Sequence, residues 1–350
     1  MPLPPLISLE EHFFTSPLPE ELSKLYSQQL SHIPSLLPKL TDLSSSVRIP
    51  DMDAGKISLQ VISHAPGLCS YPPEYSIRAN DQLFQAWKSH VTRFHGLAVL
   101  PMKEPRAAAA ELERAVKHLG LLGALVDNHT DDGQFYDSDR YEPFWQKAEE
   151  LGVPVYLHPT WPASNTTSSS LYEGNFSEGA SKSLGASGFG WHSETGLHFL
   201  RLFASGLFDR HPKLKIILGH MGEMIPFTLQ RIVSLSRRWG EFDRDFRKVW
   251  DENVWITTSG VWDLAPLRCV LSEGNTKIER ILYAVDYPFQ SNEVGKKFLE
   301  ELEGSGLVDR EGMEKICYGN AERLFGIKLV GWDEVGSKGR IKKYLVAKEG

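Results

Sequence analysis

Cysteine is scarce in this chain, with three among 350 residues. Cys69, Cys269 and Cys317 are odd in number and far apart. They give neither a disulfide framework nor a Cys-rich zinc site, and they suit a reducing, cytoplasmic setting. Basic residues are not in excess either: 38 Lys and Arg face 45 Asp and Glu, for a formal net charge of −7. A dedicated nucleic-acid binder shows a basic face or stripe, so no nucleic acid is expected as a partner. No run approaches the roughly 20 apolar residues of a membrane helix, so no membrane partner is expected. The opening MPLPPLISLEEHFF has no basic n-region and no apolar run of roughly 7–15 residues, and does not read as a signal peptide.

What is present is an ordinary globular composition, 41% apolar and 24% charged, able to bury a full core. Eight short runs rich in Val, Ile and Leu recur along the chain: Leu6–His12, Ile57–Ala65, Phe94–Pro101, Gly123–Asn128, Val153–Pro159, Leu214–Gly222, Val254–Gly260 and Ile281–Pro288. Most are continuous rather than alternating, as strands of a parallel sheet buried on both faces are. Segments of helical spacing lie between them: Glu104–Leu119, Tyr141–Leu151, Glu194–Phe208, Asn292–Leu302 and Met313–Phe325. The first has Pro near its start and Gly120 just past its end, matching helix start and stop signals. Eight strands alternating with helices predict an α/β protein, a (β/α)8 TIM barrel in one domain over residues 1–327. A doubly wound open sheet would usually carry a Gly-rich phosphate turn after the first strand, and none is there. Two insertions follow strand ends, at 13–50 and 160–190. Barrel active-site loops lie at those ends, so both read as candidate lids. Residues 328–350 read as a peripheral tail.

Several predicted strands end in ligand-type residues. Glu10 and His12 end the first, two apart and therefore on the same side of a strand. His158 ends the fifth, His220 the sixth with Glu223 after it, and Asp286 the eighth. A lone strand-end His is more often a hydrogen-bonded core residue, and Asp before Tyr-Pro more often a turn residue. It is their convergence on one rim that points to a divalent metal such as zinc or manganese. His64, His129 and His192 are further candidates to line the pocket and contact substrate.

At these residues the chain resembles the amidohydrolase superfamily, in particular its metal-dependent, non-oxidative decarboxylase branch, which includes γ-resorcylate, 2,3-dihydroxybenzoate, salicylate and aminocarboxymuconate-semialdehyde decarboxylases. The likeness rests on ISLEEHF (7–13), YLHP (156–159), FASGLFDRHPKLKIILGHMGE (203–223), ITTSG (256–260), ILYAVDYPF (281–289) and GNAERLFGI (319–327). It implies Glu10, His12, His158 and Asp286 as metal ligands, His220 and Glu223 as catalytic partners of Asp286, and Arg231 as a substrate contact. The chain departs from the branch at Asp-Tyr-Pro, where several members have Asp-Trp-Pro, and in the loop DNHTDDGQFYD (127–137). Both changes are expected at the pocket wall.

The resemblance implies decarboxylation of a small ortho-hydroxylated aromatic acid of the 2,3-dihydroxybenzoate, γ-resorcylate or salicylate type, reversible in principle. Asp286 would deliver a proton to the ring carbon that loses CO₂. One divalent ion, zinc or manganese or else magnesium, is expected, and no organic cofactor. The competing reading is a mononuclear hydrolase, a lactonase acting on a ring-cleavage product. Binuclear amidohydrolases usually begin with His-x-His and often bridge two metals with a Lys after strand four. Here the first strand gives Glu-x-His and GALVDN (123–128) contains no Lys, which favours one metal. The family also implies a homodimer or homotetramer.

Overall fold

A computed structural model describes residues 2–30, 33–43, 46–163 and 171–329. Its eight strands are β1 (Leu6–Phe13), β2 (Ile57–His64), β3 (Phe94–Gly96), β4 (Ala124–Asp127), β5 (Pro154–His158), β6 (Lys215–Leu218), β7 (Val254–Thr257) and β8 (Ile281–Leu282). All pair in parallel, as one ladder β1-β2-β3 and another from β4 to β8 in sequence order. Single parallel bridges join Ala98 to Ala124 and Leu9 to Ala284. They link β3 to β4 and β8 to β1, so the sheet closes into a barrel and leaves no open edge.

The core has the two layers that such closure requires. Ile7, Leu9, Leu59, Val61, Leu125, Tyr156, Ile217, Leu282 and Ala284 fill the interior. A larger apolar shell lies between sheet and helices, including Phe94, Trp145, Phe199 and Trp250. Helices Pro105–Lys117, Glu142–Leu151, Gly190–Ala204 and Asn292–Ser305 belong to the outer ring. Helix Gly190–Ala204 starts before the expected Glu194, and its run breaks at Gly206, which adopts φ 74° before the short helix Leu207–Arg210. The expected helix Met313–Phe325 is three consecutive helical pieces spanning Arg310–Phe325. Among the described residues no helix is long and apolar enough to cross a membrane.

Strands β3, β6 and β8 are shorter than their apolar runs. The residues beyond them leave the ladder at the mouth, where Ala284 keeps one bridge to Leu9. There His220, Met221 and Asp286 adopt positive φ. The first insertion folds as helices Glu20–Gln29 and Leu36–Thr41 and the start of Arg48–Ala54. Arg48 is fully buried and donates to the His12 carbonyl, to the Asp42 carbonyl at 3.1 Å and to Gln60 at 3.3 Å. One buried guanidinium thereby ties the insertion to the end of β1. The described part of the second insertion includes helix Glu178–Gly185, capped where the Ser177 hydroxyl accepts from the Ala180 amide at 3.2 Å. Residues 164–170 of that insertion and 330–350 of the tail lie outside the described residues.

Candidate metal centre and active site

Inward-facing positions climb each strand in steps of two, so the residue after the last apolar layer meets the mouth. On β5 Tyr156 faces the interior, and His158 stands one step above it. Past β8, Asp286 follows Leu282 and Ala284 in the same way. On β1 the simple count fails. Ile7 and Leu9 face the interior, so a regular strand would turn Glu11 inward and Glu10 and His12 out. A bulge corrects this: Ser8 pairs with Gln60 but Glu11 pairs with Ile62, an extra residue on β1, and Glu10 sits at φ 63°. Glu10 and His12 then turn into the mouth. Glu11 instead accepts from the Val285 amide at 3.3 Å and the Tyr287 amide at 3.0 Å, bracing both sides of Asp286. Burial pushes the Glu11 carboxyl up to about 8.

Glu10, His12, His158 and Asp286 each present an atom within 4.8 Å of the others. His158 Nε2 lies 3.1 Å from Glu10 Oε1, and His12 Nε2 lies 3.2 Å from Asp286 Oδ1. These four buried atoms have no hydrogen-bond partner. On His158 the other nitrogen is engaged, Nδ1–H donating to the Pro159 carbonyl at 2.7 Å. In the neutral imidazole its Nε2 then presents a lone pair to a carboxylate oxygen, two acceptors face to face. Unpaired buried acceptors are costly, and a cation bound between them satisfies all four. Two imidazoles and two carboxylates are a donor set that suits a divalent first-row ion, and their charge balances it. The residues fit a single metal.

His192, His220 and Glu223 form a second such group, but its atoms are paired with one another. His220 Nδ1–H donates to Glu223 Oε1 at 2.8 Å and His192 Nδ1–H to Oε2 at 2.9 Å. One buried carboxylate thus holds two imidazoles, an arrangement suited to moving protons rather than binding a second ion. Burial opposes charge on His220, yet the Glu10 and Glu223 carboxylates outweigh it and push its pKa up to about 10. Burial likewise opposes charge on Glu10, but the charge of His220 and the neighbouring His158 and Ser259 hold its carboxyl below the usual carboxylate range. His220 sits in a tight turn, with Gly260 at φ 67° packed behind its ring.

Over this group lies a cavity of about 640 Å³. His158, His220 and Asp286 form its floor. Tyr26, Leu30, Ile33 and Leu36 of the first insertion and Trp161, Lys182 and Ala186 of the second line it, together with Trp191 and Phe289. Both insertions therefore border the site. A groove of about 850 Å³ on the barrel flank, against helix Pro73–Ser89, has none of these ligand residues in its lining.

Other sequence candidates fall elsewhere. His64 donates from Nδ1 to the Ala65 carbonyl at 2.6 Å, and its Nε2 accepts from the Thr15 amide at 3.0 Å. His129 donates to the Thr130 carbonyl at 2.8 Å and faces Glu194 at 3.4 Å. Arg231 is exposed. None of the three borders the cavity, where Lys182 is the Lys or Arg side chain among the described lining residues. His192 reaches the site through Glu223 and His220. Sequence reading passed over Tyr156, Thr257 and Ser259, whose hydroxyls surround Glu10. The signal was the spacing of Thr257 and Ser259, two polar residues on one side of a strand end.

A model of the amidohydrolase family matches residues 76–327. The chain belongs to the amidohydrolase family. Among curated relatives, decarboxylase orsB of Emericella nidulans is 48% identical over 334 residues, covering 93% of this chain and 98% of that protein. The γ-resorcylate decarboxylase of Polaromonas sp. is 35% identical, covering 91% and 98%. Among solved structures, a dihydroxybenzoic acid decarboxylase from Polaromonas sp. with bound manganese and the inhibitor 2-nitroresorcinol is 32% identical. It superposes with a TM-score of 0.79, covering 92% of this chain and 97% of that one. This amidohydrolase therefore aligns with decarboxylases along nearly its whole length.

Proposed function

We propose that this amidohydrolase is a carboxy-lyase that removes CO₂ from a small aromatic acid bearing a hydroxyl ortho to the carboxylate, of the 2,3-dihydroxybenzoate, γ-resorcylate or salicylate type. The observation that carries the reading is the aromatic-walled cavity set over four converging unpaired ligand atoms, Asp286 Oδ1 among them. The similarity to decarboxylases supports it over a lactonase. Glu10, His12, His158 and Asp286 would hold one divalent ion; manganese, bound in the Polaromonas structure, is the first choice, ahead of zinc and magnesium. When bound, it would gather the phenol and carboxylate oxygens and offset their charge.

The reaction consumes one proton: ArCO₂⁻ + H⁺ gives ArH + CO₂. A carboxyl group at Asp286 donates to ring carbon C1, the ortho oxygen takes up the resulting electron demand, and the breaking C–C bond returns its pair to the ring. Glu223, bonded to both His192 and His220, orients His220 on the cavity floor. His220 then helps restore the proton on Asp286. Tyr26, Trp161, Trp191 and Phe289 press on the ring faces and exclude water. Lys182 supplies positive charge at the wall, a part that sequence reading gave to Arg231. We further propose a homodimer or homotetramer, as in the family, and a cytoplasmic setting, which the three unpaired cysteines support.

The test is a panel of hydroxybenzoates and lactones with manganese-loaded protein, following CO₂ and phenol. CO₂ release confined to ortho-hydroxy acids is expected. Lactone hydrolysis without CO₂ release would overturn the assignment.

A further inference from the structure

Glu10 has two oxygens in different surroundings. Oε1 lies 3.1 Å from His158 Nε2 and 3.5 Å from His220 Nε2 and is without a hydrogen-bond partner. Oε2 accepts from the Tyr156 and Ser259 hydroxyls, and the Thr257 hydroxyl lies 3.4 Å away. These three side chains are themselves linked: Thr257 Oγ1 is 3.1 Å from the Tyr156 hydroxyl and 2.9 Å from Ser259 Oγ. All are fully buried. They rise from β5 and from β7 and its continuation, across the barrel mouth from the β1 bulge that carries Glu10.

We infer that Tyr156, Thr257 and Ser259 are positioning residues that lock Oε2 and present Oε1 as a single-oxygen donor to the metal. An ionised carboxylate has room for about four acceptor contacts and could chelate an ion through both oxygens. Here the hydroxyls occupy Oε2, with Tyr156 and Ser259 each committing their one proton to it. A rotation of Glu10 that offered both oxygens to a metal would strip these buried hydroxyls of their acceptor. Glu10 needs such a lock because its backbone lies at φ 63° in a bulge, where no regular ladder fixes its direction. The space is tight on the remaining side: a Cβ on Gly219 would meet the Tyr156 hydroxyl at 3.0 Å and Glu10 Oε1 at 3.4 Å. Groups behind a ligand typically change metal affinity 10–100-fold when removed.

The inference rests on the metal reading of the proposed function but not on the reaction. The experiment therefore measures metal binding itself, by competition of manganese-loaded protein with a chromophoric chelator, for Tyr156→Phe and Ser259→Ala. Each should weaken manganese binding about 10–100-fold, and Ser259→Thr, which keeps the hydroxyl, should recover most of the loss. The thermal midpoint of the metal-free variants should stay near that of the metal-free parent, which separates lock from scaffold. The two variants sit on different strands, so failure of one to fold leaves the other to decide. Unchanged manganese affinity in a folded Tyr156→Phe or Ser259→Ala protein would overturn the inference, whatever either variant does to CO₂ release.

Discussion

Gly260→Ala is the sharpest test of how the site is held. The change adds one methyl group, and the structure says what it meets. A Cβ at that position would lie 2.7 Å from His220 Cδ2. Ordinary carbon contact begins near 3.4 Å, so the ring must retreat by about 0.7 Å. It cannot do so freely, because Nδ1 is held by Glu223 at 2.8 Å. Alanine at φ 67° also costs about 1–2 kcal/mol of backbone strain, a few degrees of thermal midpoint in a chain of this size. Misplacing a catalytic group by about 1 Å can cost on the order of 100-fold in rate, equivalent to about 2.7 kcal/mol of barrier. The metal ligands are not displaced directly, so manganese content should persist. The assay is kcat for CO₂ release alongside metal content and melting temperature. A folded, metal-loaded variant with parental kcat would show that the position of His220 does not matter, and the proposed proton path would fall with it.

Asp286→Asn should keep a neutral ligand oxygen and part of the bound metal while lowering turnover at least 10²–10⁴-fold, roughly the loss expected for a missing general acid; in deuterated water the parent enzyme should place one deuterium at the carbon that lost CO₂. Elemental analysis should find about one divalent ion per chain, and His158→Ala should lose it; two tightly held ions would revive the hydrolase. His220→Asn should retain most of the metal, because His220 is paired with Glu223, and loss of metal would make it a ligand instead. Burial lowers the His64 pKa to about 4, so between pH 6.5 and 4 the unfolded chain binds the extra proton and the fold weakens as pH falls, by about 3 kcal/mol in all. Denaturation at pH 7 and pH 4.5 should show a smaller acid loss in His64→Gln, and an identical loss would place the acid sensitivity elsewhere.

The ligand types and the barrel were legible because both follow from local pattern. Continuous apolar runs at intervals with helical segments between them leave few architectures, and polar residues at the ends of such runs mark the mouth. The resemblance implies as metal ligands the four residues whose unpaired atoms converge here. What local pattern could not carry was anything that depends on two distant segments at once. The roles within Glu-Glu-His were decided by the register of β1 against β2 on one side and against the continuation of β8 on the other. Leu9 donates to the Tyr283 carbonyl at 3.2 Å and His12 to the Tyr287 carbonyl at 2.6 Å, and only with both fixed does the extra residue of the bulge turn Glu10 inward and Glu11 outward. The resemblance implies Arg231 as a substrate contact, yet in this chain it is exposed on its helix, while Lys182 of an irregular insertion borders the cavity. The hydroxyls around Glu10 come from residues 146 to 249 positions away. Sequence fixes which side chains exist and how each strand alternates; barrel closure decides which of them meet, because contact across the mouth is set by register between strands and not by spacing within one.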